Sequence, residues 1–106
     1  MAWMMLVLAG LLEVVWAFSM KASHGFTEPW PSLVTVVAML ASFGLLSLAM
    51  RTLPLGTAYT IWTGIGALGA FVLGVIAHGE PINPVRVAAA LLILAGITLM
   101  KSASHV

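Results

Sequence analysis

The sequence predicts an all-α integral membrane protein with four transmembrane helices. Of its 106 residues, 62% are apolar and only 7% are charged. Soluble domains carry about 25% charged residues, so this chain has too few charges to cover a soluble surface. A helix needs about 20 mainly apolar residues to cross a bilayer. The chain has four such runs, and the predicted spans are residues 2–20, 32–50, 55–78 and 84–102.

The first two spans are bounded by helix breakers and interfacial residues. No basic residue precedes the first run, which is longer than the roughly 7–15 apolar residues of a signal peptide, so we expect a retained helix. The loop after it contains Gly25, Pro29 and Pro31, which interrupt helices. Trp30 fits an interfacial anchor. Ser32 is predicted to cap the start of the second helix.

Short polar loops separate the remaining spans. Residues 51–54 form the second loop, and residues 80–84, which include two prolines, close the third span. The uncharged part of the fourth span, residues 87–100, is short for a crossing helix. Arg86 and Lys101 can extend it by placing their charged ends at the interfaces. The loops are too short for a domain outside the membrane, so we expect the function to lie within the bilayer.

Basic residues are divided evenly between the two sides of the predicted bundle. Arg51 and Lys101 fall on the side of the termini, and Lys21 and Arg86 fall on the other side. Topology normally follows an asymmetry of Lys and Arg in short loops, and here there is none. Either another signal fixes one orientation, or the chain inserts both ways. Two opposite copies would form an antiparallel dimer, in place of the inverted repeats that many transporters carry within one chain.

Glu13 is the most informative residue, because it lies alone within the apolar run of the first span. An acidic or basic residue at a helix centre opposes insertion by about 2.5–3.5 kcal/mol, so it implies a partner or a task. Ala9, Gly10 and Ala17 are helical neighbours and leave room for another helix or a ligand. Trp16 is also a helical neighbour, and its ring face attracts cations. The competing interpretation is that Trp16 only packs against lipid or a neighbouring helix.

Polar and aromatic residues in the second and third spans extend this candidate site. Ser42 lies on a small, mildly polar stripe with Thr35, although such hydroxyls usually bond the backbone of their own helix. Tyr59 and Trp62 share a face of the third span. Tyr59 is close enough to the start of that span to belong instead to the interfacial aromatic belt.

Small residues mark the third and fourth spans. Gly64 and Gly66 permit either close packing or a conformational hinge, because glycine lowers helix stability and allows bending. The fourth span has small pairs at a spacing of seven and no polar residue at its middle, so we assign it to helix–helix assembly. The predicted contact residues are Ala88, Ala89, Ala95 and Gly96.

The composition excludes several classes of function. The chain has no cysteine, so neither disulfides nor thiolate metal sites can form. A net charge of +1 provides no basic patch for nucleic acid. We expect neither a metal, nor a cofactor, nor enzymatic activity. The side chains that come nearest to a ligand set match no known ligand spacing; they are His24, Glu28, His78 and Glu80.

The chain resembles the small multidrug resistance family over nearly its full length, and three segments are the most specific pieces of this resemblance. They are residues 10–26 (GLLEVVWAFSMKASHGF), 31–43 (PSLVTVVAMLASF) and 53–70 (LPLGTAYTIWTGIGALGA). Further details are similar to the guanidinium exporters of that family, whereas multidrug members have small residues in the region of position 16. These details are Trp16, Ser42, residues 62–69 and Lys101.

The resemblance implies an antiparallel, dual-topology homodimer in the bacterial inner membrane that exports guanidinium ion in exchange for protons. Small substituted guanidines are further candidate substrates. Glu13 would be the shared site for proton and substrate, and the fourth helices would hold the dimer together. Gly64 and Gly66 would let the third helix bend differently in the two copies. The residues that would line the pocket with Glu13 are Trp16, Ser42, Tyr59 and Trp62.

Guanidinium is planar and weakly hydrated, and its N–H groups match a carboxylate, so it suits Glu13. Trp16 is expected to stack on the ion, and Ser42 is expected to hydrogen-bond a Glu13 oxygen. Two other functions stay open. One is a multidrug exporter of quaternary ammonium and other lipophilic cations. The other is a non-transporting membrane assembly subunit, which would explain the carboxylate but not the aromatic and hydroxyl residues near it.

Overall fold

The computed structural model describes residues 1–103, and that range contains four α-helices. They are α1 (Ala2–Ala22), α2 (Pro29–Ala49), α3 (Leu55–His78) and α4 (Pro84–Ala103). Each of the four is long and apolar enough to cross a membrane. The structure therefore confirms the predicted all-α membrane fold with four spans.

The second helix begins earlier than the sequence predicted. Its first residue is Pro29, and Glu28 before it has the extended backbone of an N-cap. The predicted cap at Ser32 is therefore wrong, and the Ser32 hydroxyl instead donates to the Glu28 carbonyl at 2.5 Å. The first turn of a helix leaves its N–H groups without helical partners, and proline has no N–H to lose. Pro29 and Pro31 therefore lie inside the first turn of α2 rather than before it.

The helix α1 is central in the described bundle, because it packs against both α2 and α3. The hydrophobic core lies where these three helices meet, towards the membrane side that holds the N-terminus. Many other large apolar side chains face outward, as expected for a bundle surrounded by lipid. The core residues are Leu6, Ala9, Leu46, Ala49, Leu53, Ala58, Ile61 and Trp62.

The helix α4 is peripheral. Within residues 1–103 its backbone approaches that of α3 only, and none of its own residues is buried. Each end of α4 places a cation over an aromatic ring. The guanidinium carbon of Arg86 lies 5.0 Å from the ring centre of Phe71, and Nζ of Lys101 lies 5.4 Å from that of Trp3. These contacts attach both ends of α4 while its outer face stays exposed.

Small residues let α1 and α3 approach each other closely, and we call this contact line the α1–α3 seam. At three glycines an added Cβ would overlap the side chain that faces it on the other helix. The seam is therefore too narrow for side chains on both helices at the same level. The facing pairs, in the order of the chain, are Gly10 with Ile65, Gly66 with Glu13, and Gly69 with Val14.

Gly64 faces α4 rather than α1, and a Cβ at this position would overlap the side chain of Ile97. Gly64→Ala is expected to push α3 and α4 apart and to lower the free energy of unfolding by about 1–3 kcal/mol. Gly44→Ala is the matched control, because an added Cβ there meets nothing within 4 Å. Thermal unfolding in detergent measures both variants, and equal melting temperatures would contradict this packing role.

Candidate functional site

The buried hydroxyl of Ser42 joins three helices. It donates a hydrogen bond to the Ala9 carbonyl of α1 at 2.6 Å and accepts one from Nε1 of Trp62 in α3 at 3.0 Å. Its single proton is thus used across helices, and the usual bond to its own helix backbone is not made. Thr35, on the same stripe, does bond its own helix, because it donates to the Pro31 carbonyl at 2.7 Å.

Four aromatic rings form a row beside this hydroxyl, and we call Trp16, Phe43, Trp62 and Tyr59 the aromatic row. The ring centres of Trp16 and Phe43 lie 6.3 Å apart, and those of Phe43 and Trp62 lie 5.8 Å apart. The ring centres of Trp62 and Tyr59 are separated by 5.5 Å. Aromatic pairs attract each other at such separations. The row brings together three of the predicted pocket residues from α1 and α3.

Sequence reasoning missed Phe43, which bridges Trp16 and Trp62. The residue after Ser42 points to a different side of α2, so the Ser42 stripe does not include it. A usable signal was nevertheless present. A phenyl ring next to a midspan hydroxyl is long enough to contact the helices on either side, and Phe43 does so while remaining 44% exposed.

Glu13 lies on α1, one turn before Trp16, and its carboxylate packs over Gly66 of α3. Its Oε1 and the Nε1 of Trp16 are buried and have no hydrogen-bond partner in the part of the chain that the structure describes. The expected bond from Ser42 to Glu13 is not formed, because the Ser42 proton goes to the Ala9 carbonyl. Unpartnered polar atoms are costly when buried, more so inside a membrane. Glu13 and Trp16 therefore mark a candidate binding site for a cation.

The site has one carboxylate only. The other two acidic residues, Glu28 and Glu80, lie in the loops outside the helices. Among residues 1–103, no group of three or more His, Cys, Asp or Glu side chains is placed to hold a metal ion. The electrostatics of the site thus consist of the Glu13 charge and the faces and edges of the aromatic row. Such a site suits a small cation that can also lie against a ring.

The predicted hinge and dimer residues have definite positions in the fold. The helix α3 is continuous over Leu55–His78, where Gly64 packs against α4 and Gly66 against Glu13. The packing interpretation thus accounts for both glycines, and their role as a hinge stays a prediction. A dimer contact through α4 also stays a prediction. The residues expected to make it are all exposed on α4, and they are Ala88, Ala89, Ala95 and Gly96.

The fold and the site together define a small multi-pass membrane protein of the transporter type, with a single carboxylate beside a row of aromatic rings. The family model described as Small Multidrug Resistance protein matches residues 1–102. The chain therefore belongs to the small multidrug resistance family, as its sequence motifs predicted.

Curated relatives are similar to the chain over their whole length. Guanidinium exporters of Escherichia coli (strain K12), Citrobacter freundii and Salmonella typhimurium are each 52% identical to it over 105 residues. The aligned region covers 99% of this chain and 100% of each relative. The four spans, the family and these bacterial relatives identify a multi-pass protein of the inner membrane, which confirms the predicted location.

Ser42→Ala is expected to loosen the contact among α1, α2 and α3. The change removes the cross-helix partner of the Trp62 N–H and the Ala9 carbonyl. Hydrogen bonds between membrane helices contribute about 0.6 kcal/mol on average and up to about 1.7 kcal/mol, and we expect a loss in that range. Ser47→Ala is the control, because Ser47 is exposed on the same helix. Denaturant unfolding in micelles measures the loss, and equal stability of the two variants would argue against this link.

Proposed function

We propose that the chain exports guanidinium ion in exchange for protons, and that Glu13 binds both. The observation that carries this proposal is the position of Glu13 in the α1–α3 seam, with a buried, unpartnered Oε1 one turn from Trp16. The identity of 52% to guanidinium exporters over 105 residues supports the choice of cation.

The chemistry of guanidinium fits this position. The ion is planar and weakly hydrated, and two of its parallel N–H groups can bond one carboxylate. Its flat face can also lie against an aromatic ring, which attracts cations more strongly when water is excluded. Glu13 would supply the carboxylate and Trp16 the ring, with Trp62 and Tyr59 completing the wall of the site. Ser42 would hold Trp62 through the bond to its indole N–H.

Exchange follows from the use of one anion for two cations. A carboxylate within the bilayer is least costly when it is neutralised, either by a proton or by a bound cation. Binding of guanidinium therefore releases the proton, and binding of a proton releases guanidinium. Exchange is coupled when the empty, charged site rarely changes the side of the membrane to which it is open.

The proposal includes a second copy of the chain in inverted orientation, so that each dimer holds two Glu13 side chains. Four spans are too few for the paired inverted repeats that many transporters contain within one chain. The basic residues of the loops favour neither orientation. The helix α4 offers an exposed face with small residues, which let helices approach closely in a membrane. Bending of α3 at Gly64 and Gly66 would then differ between the two copies.

Two other functions make different predictions for purified protein. An exporter of bulky quaternary ammonium compounds would need open space beside Glu13, where this chain has the Trp16 ring. A non-transporting assembly subunit would pair Glu13 with a partner helix and would not respond to guanidinium. Proton release when guanidinium is added to the purified protein separates the proposed function from the assembly role.

Glu13→Gln removes the charge that both cations require, so proton-coupled guanidinium flux is expected to fall to the background of empty liposomes. Glu28→Gln is the matched control, because Glu28 is exposed in the loop between α1 and α2. Internal pH and guanidinium uptake are followed in proteoliposomes under an imposed proton gradient. Proton-driven guanidinium flux that survives in Glu13→Gln would refute the mechanism.

Trp16→Gly tests the contribution of the ring. Loss of a cation–ring contact is expected to weaken guanidinium binding by about 0.5–2 kcal/mol and to make room for bulkier cations. Trp30→Gly is the control, since Trp30 is 76% exposed near the start of α2. Competition of quaternary ammonium ions with guanidinium uptake provides the measurement. A substrate profile equal to that of the unchanged protein would mean that Trp16 only packs.

A further inference from the structure

A pocket of about 140 Å³ opens on the α1–α3 seam, and we call it the seam pocket. It lies towards the membrane side that carries the α1–α2 and α3–α4 loops, because its lining residues come from the last turns of α1 and α3 and from the residues just after α3. We call its small lining residues, Ala17, Ala70 and Gly74, the floor, and its polar lining residues nearer the loops, Lys21, His78 and Glu80, the mouth.

The floor of the seam pocket lies close to Glu13. Ala17 follows Glu13 by four residues on α1, which is about 6 Å along the helix axis. Between these two levels Val14 packs against Gly69 so closely that a Cβ on Gly69 would overlap it. Oε1 of Glu13, buried and unpartnered among the described residues, packs over Gly66 one turn before Gly69. One layer of side-chain packing therefore separates the pocket from this oxygen.

We propose that the seam pocket is a water-filled inlet through which protons reach Glu13, separate from the aromatic row, and that the contact of Val14 with Gly69 is its barrier. The inference rests on the proposed function in one respect, the assignment of Glu13 as the proton site. It goes further by giving the proton a path that the guanidinium ion does not share.

The size of the pocket and its polar mouth suit a small group of water molecules. Its volume holds several water molecules, whose hydrogen bonds can be made to the polar side chains at the mouth. Lys21 from α1 adds an ammonium group there, which can donate hydrogen bonds to water. His78 from α3 offers ring nitrogens that can hydrogen-bond water. Its ring is held edge-on by Phe18, with ring centres 5.4 Å apart.

Glu80, from the α3–α4 loop, completes the mouth and is fixed in place. Its backbone N–H donates to the Gly74 carbonyl at 3.1 Å, and its carboxylate packs over Gly74. From α4, Arg86 pairs with Glu80 Oε1 at 3.2 Å and also donates to the Pro81 carbonyl at 2.6 Å. Arg86 therefore holds this carboxylate at the pocket instead of leaving it free in the loop.

The barrier is needed for coupling. A permanently open inlet would let Glu13 exchange protons with one side of the membrane at every stage, and protons would then leak without guanidinium. The branched, apolar side chain of Val14 excludes water from the seam, and Gly69 provides the space into which it fits. A brief separation of the two helices at this level would admit water from the pocket. A proton could then pass along this water to Glu13 Oε1.

Water in the seam pocket is tested by single-cysteine labelling, which is simple because the chain has no cysteine. Ala17→Cys places a thiol on the floor, and Val72→Cys is the control, exposed on α3 two residues after the floor residue Ala70. A small anionic thiol reagent is expected to modify Ala17→Cys about tenfold faster, because only a thiolate reacts and lipid suppresses its formation. Equal or slower reaction at Ala17→Cys would overturn the proposal of a water-filled pocket.

The barrier is tested by proton leak into proteoliposomes in the absence of guanidinium. Val14→Ala removes the atoms that contact Gly69 and is expected to raise the leak severalfold over Val15→Ala, whose side chain is 42% exposed. Adding Glu13→Gln to Val14→Ala should return the leak to the control level. Val14→Thr, which keeps the shape but replaces one methyl group with a hydroxyl, serves if Val14→Ala does not fold. Leak equal to that of Val15→Ala in the folded variant would overturn the barrier.

These readouts separate the inlet from the proposed function. Labelling and leak are measured without guanidinium. If both succeed while guanidinium evokes no proton flux in the unchanged protein, the inlet stands and the proposed substrate fails. If guanidinium evokes proton flux while labelling and leak match their controls, the proposed function stands and protons reach Glu13 by another route.

Discussion

A carboxylate inside a bundle that lipid surrounds is the constraint on which the arrangement of this chain depends. Lipid cannot solvate Glu13, and helix insertion alone is opposed by about 2.5–3.5 kcal/mol for such a charge. The fold turns its side chain away from lipid and over Gly66, where the absence of a Cβ provides the space. This placement requires α1 to lie between α2 and α3, and α1 packs against both of them. The close approach along the seam therefore follows from the need to enclose one charge.

Some polar groups of the site have hydrogen-bond partners in the described part of the chain, and others have none there. Ser42 uses its proton on the Ala9 carbonyl and accepts the Trp62 N–H, so this link has no capacity left to donate to the carboxylate. A Ser42 proton given to Glu13 would have stabilised the empty, charged site and opposed the binding of any cation. The observed bonds instead fix the three helices and leave Glu13 Oε1 and Trp16 Nε1 unpartnered among the described residues. The groups that hold the helices together are thus separate from the groups that are left to bind a cation.

The sequence predicted what hydrophobicity and helical spacing determine. Four long apolar runs are sufficient to define four spans, and a separation of three residues places Glu13 near Trp16 on one side of α1. It did not predict contacts that depend on how helices cross. Phe43 enters the aromatic row only through the packing of α2 on its neighbours, and Ser42 chooses among acceptors that spacing along one helix cannot reveal. The start of α2 at Pro29 was missed because proline was treated as a breaker in a position where the helix tolerates it.

In the proposed exchange, the two neighbours of α1 have different tasks. Towards α2, Trp16 meets Phe43, and this side offers rings to an organic cation. Towards α3, Glu13 and Val14 face Gly66 and Gly69, and here the two helices meet in the narrow seam. The same carboxylate, Glu13, binds the organic cation from one side and the proton from the other. Either of them neutralises its charge, so the other is no longer attracted. The proton and guanidinium then compete because they bind the same group, and no conformational coupling between separate sites is needed. The apolar packing of the seam matters as much as the charge, because exchange is coupled only while that packing holds.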